Sequence, residues 1–597
     1  MSEPTTSPLI WRDDGMPQSA LYGDVYFSSA DGLAETRAVF LTGCDLPNAW
    51  RGRDHFTVGE LGFGTGLNIA ALLDLWRREK IQGQRLHIFS IEAHPITRDE
   101  AARALAVWPE LGEAARVLLD HWPGVARGFH RIGLPGFDAT FDLAVMDVEP
   151  ALAAWDGAAD AWFLDGFSPA LNPAMWREEI LAAVAARSAP GARAATFTVA
   201  GAVRRGLAAA GFQVDKRPGF GRKKERLEAV MPGQPDLAPR PPARLGRLAV
   251  IGGGIAGAAM ARAALAEGVD VVVFDAGEAA ASGNPAALVT PALDAGGGRR
   301  AALPAQAFAR AVALYADLET EHPGTIIAQG ALKLSVAPRD GERHVAVAAQ
   351  DLFEPGAMIV VDAAGATARL GEPAPDALSM ADALVVEPAL VIAAWRGEAV
   401  ATRVERLDHK DGAWRLYDAQ DRLLDAVDAV VLAGGADQAR LWPAAPLRPV
   451  RGQASWTDHP ISAAVAFGGY AIPTRDGMLF GATHDRDTFD TDAREADDRR
   501  NLEALAKGLP VLAARLDGAP LQGRAAVRAT TADHVALAGA VPDMPGGLFV
   551  LGGLGGRGFC LAPLLAEHLA ARILGLPSPL PRTLSALVEP GRFSSRA

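Results

Sequence analysis

Cysteine, which builds disulfides and many structural metal sites, is scarce in this sequence. Only two cysteines, Cys44 and Cys560, occur among 597 residues, and they lie far apart in the chain. We therefore predict neither disulfides nor a bound metal, and we expect a reducing, cytoplasmic environment. The N-terminus lacks a basic segment followed by an apolar one, and no apolar run is long enough to cross a bilayer. This predicts a soluble protein without a signal peptide or membrane contact.

The composition is that of a folded protein with several domains. Hydrophobic residues make up 49% and charged residues 22% of the sequence, which is typical of globular proteins. A chain of 597 residues is too long for one core and predicts about two to four domains. The oligomeric state leaves no mark on the composition, and we expect a monomer.

Charge is distributed unevenly along the chain. The net charge is −13, but residues 187–226 contain 10 Lys and Arg against 2 Asp and Glu. A basic stretch in an acidic protein can form a phosphate-binding patch, and it can equally be a solvated face without a ligand. Charge alone leaves both interpretations open.

Residues 231–245 separate two patterns of alternating strands and helices. This segment, MPGQPDLAPRPPARL, contains five prolines and no apolar periodicity, as in spacers between domains. We predict a first domain over residues 1–235, a linker over 236–245 and a second domain over 246–597. The alternation predicts an α/β fold in both domains, Rossmann-like in the first and with an interleaved β-rich region in the second.

Five apolar runs and a closing hairpin give the predicted strands of the first domain. The runs are His55–Leu61, Leu86–Ala93, Phe141–Asp147, Ala161–Asp165 and Ala194–Thr198, and the hairpin joins Phe212–Arg217 to Arg226–Met231. The second domain is predicted to begin with a strand at Arg247–Ile251 and to end with a helix at Pro563–Leu574.

The first nucleotide-binding pattern is a strand, a glycine turn and a helix at residues 55–76. Glycines let a backbone approach a ligand closely, although a tight turn also needs them for structural reasons. Glu92 ends the next strand, where a carboxylate can bind both ribose hydroxyls, and Asp147 ends a third, where it could hold an adenine amino group. The set predicts a nucleoside cofactor, and the leading glutamate favours S-adenosylmethionine over NAD. The E-x-G-x-G-x-G turn consists of Glu60, Gly62, Gly64 and Gly66.

A carboxylate is also predicted beside the methyl donor. Asp165 follows the fourth strand, in FLDGFSPALNPAMW, at the edge of the sheet where ligands bind in open α/β folds. An amine with a pKa of about 10 is protonated at neutral pH and lacks the lone pair that methyl transfer needs. Asp165 could orient the amine and accept its proton, and a turn-forming role is the alternative.

The second nucleotide-binding pattern opens the second half of the chain. RLAVIGGGIAGAAMARAALAEGVDVVVFDAG contains G-x-G-x-x-G and a ribose-binding acid at the end of the following strand. The later strand VVLAGGA returns to the dinucleotide, and a glycine loop precedes the last helix, whose N-terminus can stabilise negative charge on a reduced flavin. These features favour FAD over NAD. The predicted contacts are Gly252, Gly254, Gly257, Asp275, Gly434, Gly555 and Gly556.

Four segments of the first half resemble one family, the bifunctional tRNA 5-methylaminomethyl-2-thiouridine biosynthesis proteins. They are SALYGDVYFSSADGLAETRAVFL, VGELGFGTGLN, WFLDGFSPALNPAMW and TFTVAGAVRRGLAAAGF. The resemblance covers residues from about 15 to 231 and resumes in the second half. It implies that Asp165 is the catalytic acid/base of a methyltransferase and that Phe167 and Pro169 shape its pocket.

Five segments of the second half resemble the part of the same family that is similar to the glycine and D-amino-acid oxidase group. They are ASGNPAALVTP, PVRGQ, GYAIP, FGATHD and TADHVALAG. The resemblance implies an FAD fold in which Ser282, Gly283 and Asn284 contact the cofactor. The chain departs from the group at Pro285, Ala286 and Ala287, where polar residues are replaced.

The resemblance also implies a substrate for the second half. The family oxidises a secondary amine that carries a carboxymethyl group on a modified uridine, and water then releases glyoxylate. A carboxylate on the substrate requires a cation, ideally a bidentate guanidinium. The candidates are Arg451, Arg528 and Arg557, of which Arg557 is the predicted catalytic residue.

Two functions follow as alternatives. In the first, the FAD half converts 5-carboxymethylaminomethyl-uridine at the tRNA wobble position to 5-aminomethyl-uridine, and the methyltransferase half completes 5-methylaminomethyl-uridine. The basic stretch would then bind tRNA phosphates through Arg222, Lys223 and Lys224. The alternative is an enzyme that oxidises and methylates a free amino acid or small amine. A non-catalytic flavin-binding scaffold fits two intact cofactor patterns poorly.

Overall fold

The computed structural model of the protein describes residues 8–28, 31–221, 223–233, 245–277 and 281–596. The chain divides into two compact units, Met1–Pro241 and Pro242–Ala597. The predicted linker lies outside the described residues except for its last residue, Leu245.

The first unit has strands and helices in alternation over most of its length. Its strands are β1 (Leu9–Trp11), β2 (Pro17–Ser19), β3 (His55–Leu61), β4 (Arg85–Glu92), β5 (Gly128–Leu134), β6 (Ala139–Val145), β7 (Ala159–Leu164), β8 (Ser188–Thr196), β9 (Gln213–Pro218) and β10 (Glu225–Val230). Its helices are α1 (Gly32–Thr36), α2 (Leu67–Glu79), α3 (Arg98–Leu105), α4 (Gly112–Asp120), α5 (Val148–Ala154), α6 (Glu178–Ala186) and α7 (Gly201–Ala209).

Eight of these strands form one sheet in the order β5-β6-β4-β3-β7-β8-β10-β9. Strands β6, β4, β3, β7 and β8 run parallel, and antiparallel strands complete both edges. Helix α2 contributes Leu72 and Trp76 to one hydrophobic cluster, and α6 contributes Ile180 to another. Because the central strands are buried in this way, they consist of nearly continuous apolar residues.

The predicted strands of the first half are all present, with one change at the nucleotide-binding edge. Strand β6 ends at Val145, so Asp147 is the N-cap of α5 rather than the end of a strand. Strand β5 is not predicted from the sequence because polar residues interrupt its apolar pattern. In the structure, Arg131 on β5 forms a buried ion pair with Asp142 on β6 at 2.6 Å, which compensates its charge.

The second unit is richer in strands. They are β11 (Arg247–Ile251), β12 (Asp270–Phe274), β13 (Ala287–Val289), β14 (Ile326–Leu334), β15 (Met358–Val361), β16 (Ala377–Val386), β17 (Arg406–Lys410), β18 (Ala413–Tyr417), β19 (Leu423–Val427), β20 (Ala429–Leu432), β21 (Arg448–Thr457), β22 (Ala464–Ala466), β23 (Tyr470–Thr474), β24 (Gly477–Gly481), β25 (Asp485–Arg486), β26 (Gln522–Thr530), β27 (Leu537–Ala540) and β28 (Leu548–Gly552). The helices are α8 (Ile255–Ala266), α9 (Gly298–Glu321), α10 (Asp340–Ala348), α11 (Ala363–Leu370), α12 (Pro388–Arg396), α13 (Glu495–Gly508), α14 (Pro510–Leu516), α15 (Gly558–Leu574) and α16 (Arg582–Val588).

These strands form a nucleotide-binding sheet and a larger β-rich region. The first has the order β12-β11-β20-β28-β27, and β11 is parallel to both β12 and β20. The second sheet has ten strands, which are β13 to β16 and β21 to β26. Strands β17, β18 and β19 form a third sheet. Helix α15 begins at Gly558, so Pro563 lies inside it rather than at its start. Across the described ranges, no helix is both long and apolar enough to cross a membrane.

Candidate active sites

The first site lies at the carboxyl ends of three neighbouring parallel strands. Leu61 on β3 pairs with Ile91 on β4 and with Leu164 on β7. Glu92 is the last residue of β4, and Asp165 directly follows β7. Because parallel strands end at one edge of a sheet, residues far apart in the sequence meet there.

The glycine turn between β3 and α2 allows these strand ends to approach each other. The φ angles of Gly62, Gly64 and Gly66 are 90°, 52° and 76°, and residues with a Cβ rarely adopt such angles. A Cβ on Gly62 would also lie 2.8 Å from the carbonyl oxygen of Asp165. The turn therefore carries β3 into contact with the residue that follows β7.

Carboxylates and a phenol surround this turn. The Gly64 N–H donates to Oε2 of Glu92 at 3.1 Å, and the His94 N–H donates to Oε1 at 2.9 Å. Burial raises the pKa of Tyr22, and the charges of Glu92 and Asp147 raise it further. The charges of both carboxylates therefore act on the Tyr22 phenol. An oriented carboxylate beside a glycine turn fits the ribose of S-adenosylmethionine.

A buried hydrogen-bond network lies beneath the site. Asn68, in the first turn of α2, donates from Nδ2 to Oδ2 of Asp165 at 2.6 Å and to Oε1 of Glu60 at 3.2 Å. The hydroxyl of Thr36 donates to Oδ1 of Asn68 at 2.8 Å, and that of Ser90 donates to Oε2 of Glu60 at 2.6 Å. Glu60 is 0% exposed. Because no part of Glu60 is exposed, a methyl donor cannot reach it, and Glu60 supports the network instead, which corrects its predicted contact with the methyl donor.

Asp165 is the half-buried carboxylate at the centre of this site. Burial raises the pKa of Asp165 to about 8; the hydrogen bond from Asn68 and the charge of Lys223 act in the opposite direction, and the charge of Glu35 raises it. A group with a pKa near neutrality can both accept and return a proton at the working pH. The geometry thus supports the predicted acid/base role.

An aromatic wall contributes to the same site. The Phe167 ring lies 5.2 Å from the Tyr22 ring and 5.3 Å from the Tyr26 ring, measured between centroids. Pro169, predicted to shape the pocket, is half-buried two residues further along. The two tyrosines were not predicted as site residues, although their segment, SALYGDVYFSS, carries part of the family resemblance.

The segment after Asp165 is held by its own motif residues. A Cβ on Gly166 would overlap the Sδ atom of Met175, so the Met175 side chain packs directly against the Gly166 backbone. Trp176 donates from Nε1 to the carbonyl oxygen of Phe167 at 2.8 Å, and the Ser168 N–H donates to Asp24 at 2.9 Å. Contacts within the motif DGFSPALNPAMW, together with the hydrogen bond to Asp24, thus hold this segment in one conformation.

The basic hairpin of β9 and β10 keeps less free charge than its residue count suggests. Lys223 donates to Glu35 at 2.9 Å and lies 4.0 Å from the centroid of the Phe197 ring. The Lys224 side chain is exposed and has no partner in the part of the chain that the structure describes, and Arg222 lies outside that part. The remaining pairs are Lys216 with Glu225, Arg217 with Asp215 and Arg226 with Glu228.

The second site is a cavity of about 790 Å³ in the second unit. Most of the predicted contacts line it, and three predicted residues do not. Those that do are Gly252, Gly254, Asp275, Ser282, Asn284, Gly434, Arg528, Gly555, Gly556 and Arg557. Those that do not are Gly257, Gly283 and Arg451.

Two glycines of the G-x-G-x-x-G turn serve packing. Gly252 has a φ angle of 112°, and a Cβ there would lie 2.7 Å from the backbone of Ala433 and Gly434. A Cβ on Gly257 would overlap the carbonyl oxygen of Gly252. Gly257 therefore lets α8 approach the turn, rather than contacting a ligand as predicted.

Two hydrogen bonds, to Ile255 and to Arg524, hold the loop at residues 282–284 in place. The Ser282 hydroxyl accepts from the N–H of Ile255 at 3.1 Å, and the Asn284 side-chain oxygen accepts from Arg524 at 3.2 Å. Gly283 lies against the same guanidinium, which explains why it does not line the cavity.

Asp275, the predicted ribose-binding acid, lines the cavity and also forms an ion pair. Arg396 donates from Nη1 to Oδ2 of Asp275 at 2.8 Å. A carboxylate has lone pairs for further donors. The ion pair therefore orients Asp275 and leaves it able to accept further hydrogen bonds from a ligand.

Gln438 indicates independently that the cavity suits a polar ligand. Its side chain lines the cavity and is 3% exposed, and neither Oε1 nor Nε2 has a hydrogen-bond partner within the described residues. A buried polar group without a partner costs about 1–3 kcal/mol, which a ligand would remove. Together with the glycine turns and the N-terminus of α15, this fits FAD.

Two arginines carry free positive charge into the cavity. Arg528 donates to the carbonyl oxygen of Thr483 at 2.8 Å, and Arg557 donates to those of Thr290 and Pro291, both at 3.1 Å. Neither has a carboxylate partner among the described residues. Burial lowers the pKa of both guanidiniums. Their charges are therefore available to a carboxylate on a substrate.

Lys333 on β14 is a third cation of the cavity, and the sequence did not indicate it. It lines the cavity as the lone charge of an apolar strand, GALKLSV. Burial lowers the pKa of Lys333, and the charge of Arg557 lowers it further. A single lysine in an apolar run gives no sign of its neighbours before the fold is known.

Arg451 does not have the predicted role. Its side chain is 0% exposed, and it forms ion pairs with Asp497 at 2.7 Å and Asp485 at 3.4 Å. These carboxylates neutralise its charge, and it does not line the cavity. Arg451 is therefore a structural residue of the β-rich region.

The two sites define a class of protein, a methyl-transferring unit followed by a flavin-dependent oxidising unit. Residues 109–232 match the family of S-adenosyl-L-methionine-dependent methyltransferases, and residues 247–572 match the family of FAD dependent oxidoreductases. Both predicted cofactors are thereby confirmed.

Related proteins that share one name match the chain along its whole length. It is 80% identical to the tRNA 5-methylaminomethyl-2-thiouridine biosynthesis bifunctional protein MnmC of Caulobacter sp. (strain K31), with 100% of this chain and 99% of the relative covered. It is 66% identical to the protein of the same name from Caulobacter vibrioides (strain ATCC 19089 / CIP 103742 / CB 15), with the same coverage. The chain therefore belongs to the family of bifunctional tRNA 5-methylaminomethyl-2-thiouridine biosynthesis proteins, as predicted.

A solved structure adds a comparison of folds. L-proline dehydrogenase from P. horikoshii superposes with a TM-score of 0.50 and 17% identity, covering 59% of this chain and 98% of its own. At that identity the likeness shows the fold alone, and it agrees with the predicted α/β flavoprotein fold.

Proposed function

We propose that the protein completes a 5-methylaminomethyl group on the wobble uridine of tRNA in two steps. The second unit would remove the carboxymethyl group from 5-carboxymethylaminomethyl-uridine or its 2-thio form, and the first would methylate the resulting amine. The observation that carries the proposal is the different chemistry of the two sites. Cations without a carboxylate partner among the described residues face the second site, and the carboxyl group of Asp165, with its Oδ1 unbonded, lies at the first.

In the oxidation step, Arg528 and Arg557 would bind the substrate carboxylate. Their guanidiniums rest on backbone carbonyl oxygens and keep their charge, which suits a bidentate contact. FAD, when bound, supplies the acceptor for two electrons. The bond between the nitrogen and the CH₂ of the carboxymethyl group loses a hydride and a proton to become an imine, and water hydrolyses this imine to glyoxylate and the primary amine.

In the methylation step, Asp165 would bind the primary amine and accept one of its protons. This frees the nitrogen lone pair for the methyl group, which S-adenosylmethionine supplies when bound. Phe167 and Tyr22 form an aromatic surface next to Asp165, and such a surface favours a flat base.

The proposal includes an arrangement of domains and a tRNA contact. We assign residues 1–235 to the methyltransferase, 236–245 to a linker and 246–597 to the oxidoreductase, in a cytoplasmic monomer without a metal. Among the described residues of the β9–β10 hairpin, Lys224 has an exposed and unpaired side-chain charge, which supports a phosphate contact.

The test uses tRNA from a strain that lacks this activity. Full-length protein with FAD and S-adenosylmethionine should convert the carboxymethylated wobble nucleoside to the methylaminomethyl form, measured by mass spectrometry. Without S-adenosylmethionine, the reaction should stop at the aminomethyl form and release glyoxylate. Turnover of free N-carboxymethyl amines with no change in the tRNA nucleoside would contradict the proposal.

A further inference from the structure

We propose that Asn68 is a positioning residue for methyl transfer, which holds one oxygen of Asp165 so that the other oxygen faces the acceptor amine. The inference rests on the methylation step proposed above. It adds a specific task for a residue that lies under the site.

The two oxygens of Asp165 differ in their surroundings. Oδ2 accepts a hydrogen bond of 2.6 Å from Nδ2 of Asn68. Oδ1 accepts none from any described residue. A carboxylate with one oxygen bonded from below cannot rotate freely about its Cβ–Cγ bond. The unbonded oxygen is thus held ready for an amine N–H.

The orientation of the Asn68 amide is itself determined by a neighbour. Its Oδ1 accepts from the Thr36 hydroxyl at 2.8 Å, and both side chains are buried, with exposures of 6% and 3%. If the amide were reversed, Oδ1 would face the oxygens of Asp165 and Glu60, which are acceptors when ionised. Thr36 therefore helps to keep the donor side of Asn68 toward Asp165.

The same amide separates two carboxyl groups. Its second N–H donates to Glu60 at 3.2 Å. Burial raises the pKa of Glu60 well above its usual value, and the nearby charge of Asp165 raises it as well. Asn68 thus donates to both members of a pair in which like charges would repel.

Asn68 supplies the protein hydrogen bond that favours the ionised form of Asp165. The other charged groups act through space, and they come from several elements. They are Glu60 on β3, Glu35 on α1, Asp24 in the N-terminal segment and Lys223 in the β9–β10 turn. Since only Lys223 among them is a cation, loss of the Asn68 donor should move the ionisation of Asp165 to higher pH.

The experiment measures methyl transfer by the full-length holoenzyme to tRNA that carries 5-aminomethyl-uridine, as a function of pH. Asn68→Ala removes the donor, Thr36→Val removes only the group that orients it, and Thr36→Ser keeps the hydroxyl. We expect the acid limb of kcat for Asn68→Ala to move up by about one pH unit, with roughly tenfold slower transfer near neutrality. Thr36→Val should move it less in the same direction, and Thr36→Ser should match the wild type.

Binding of S-adenosylmethionine, measured by calorimetry, separates this role from a structural one. Weaker binding or a lower Tm with an unchanged acid limb in Asn68→Ala would overturn the inference and leave the proposed function intact. If Asn68→Ala does not fold, the Thr36 pair decides, and equal acid limbs for Thr36→Val and Thr36→Ser would overturn it. Wild-type protein that binds S-adenosylmethionine but leaves this tRNA unmethylated would overturn the proposed function and this inference together.

Discussion

The two sites present groups of opposite type, a carboxyl group in the first unit and guanidiniums in the second, and they hold them in different ways. In the first unit, Asp165 is tied by Asn68 to a buried network that also contains Glu60. In the second unit, Arg528 and Arg557 rest on backbone carbonyl oxygens without a carboxylate partner in the described chain. A network of side chains tunes the proton affinity of one group, whereas carbonyl oxygens orient cations and leave their charge for a ligand.

This difference between the sites can order two reactions on one chain. For the proposed steps, the first substrate carries a carboxylate, which the cationic cavity attracts and the acidic site repels. Its product is an amine without that carboxylate. The cationic cavity repels this amine, and the acidic site attracts it. Discrimination through unfavourable contacts with the wrong partner is a common source of specificity.

The largest effect is expected at the acidic site. Asp165→Asn keeps the size of the side chain but removes its charge and basicity, so methyl transfer should fall by roughly 10²–10⁴-fold. Oxidation in the second unit should continue, and tRNA from cells with this variant should accumulate 5-aminomethyl-uridine, measured by mass spectrometry. Wild-type levels of the methylated nucleoside would remove Asp165 from the mechanism.

At the cationic cavity, we expect a substitution that lowers oxidation and leaves methylation unchanged. Arg528→Met removes a charge that has no carboxylate partner of its own, so kcat/KM for the carboxymethylated substrate should fall roughly 10²-fold. Arg528→Lys keeps the charge without the planar fork and should recover part of the loss. Methylation of 5-aminomethyl-uridine should be unaffected in both variants. Equal losses of both activities would show that the variant disturbs the fold rather than the cavity.

A substitution of Gln438 tests whether the cavity binds FAD. Gln438→Leu removes a buried amide that lacks a partner, so the protein without FAD should have a higher Tm. The same change removes a group that would bond FAD, and affinity for FAD should fall roughly tenfold, which corresponds to about 1–1.5 kcal/mol. Thermal unfolding of the apoprotein and fluorescence titration with FAD measure these two opposite effects. A fall in both quantities would assign Gln438 to packing.

Asp165 should also make stability depend on pH. Its pKa is about 8 in the folded protein against an ordinary value of 3.8, so between these values the folded state binds the proton and the unfolded state does not. Stability is therefore present at low pH and is lost as the pH rises through this window. Asp165→Asn lacks this loss, and calorimetry should show its Tm rising relative to the wild type from about pH 5 to pH 9. A constant Tm difference across this range would contradict the raised pKa.

The smallest effect is expected on the surface of the first unit. Lys224→Ala removes an exposed, unpaired charge, and the salt dependence of tRNA binding should become shallower by about one slope unit. Lys223→Ala is the matched control, because Lys223 already bonds Glu35 and should change the slope less. Filter binding at several salt concentrations measures both, and identical slopes for the two variants would contradict this distinction.

Local features of both sites could be predicted from the sequence. The glycine turns at residues 60–66 and 252–257 are read from spacing, since φ angles such as 90° at Gly62 and 112° at Gly252 depend on the residue itself. Asp165 could be predicted as well, because it directly follows an apolar strand and lies in a motif held by its own residues. Local conformation and strand ends are short-range properties, so short-range patterns indicate them.

Which charges remain free was decided only by the tertiary structure. Lys223 and Glu35 are 188 residues apart in the chain, and Asn68 and Asp165 are 97 apart, so no pattern in the sequence pairs them. Arg451 and Arg528 lie in similar motifs, yet one is neutralised by Asp497 and the other faces the cavity. The sequence determined the cofactor turns and the family. The ionisation and availability of each side chain depended on burial and on partners brought together by folding, because desolvation and charge pairing act through space.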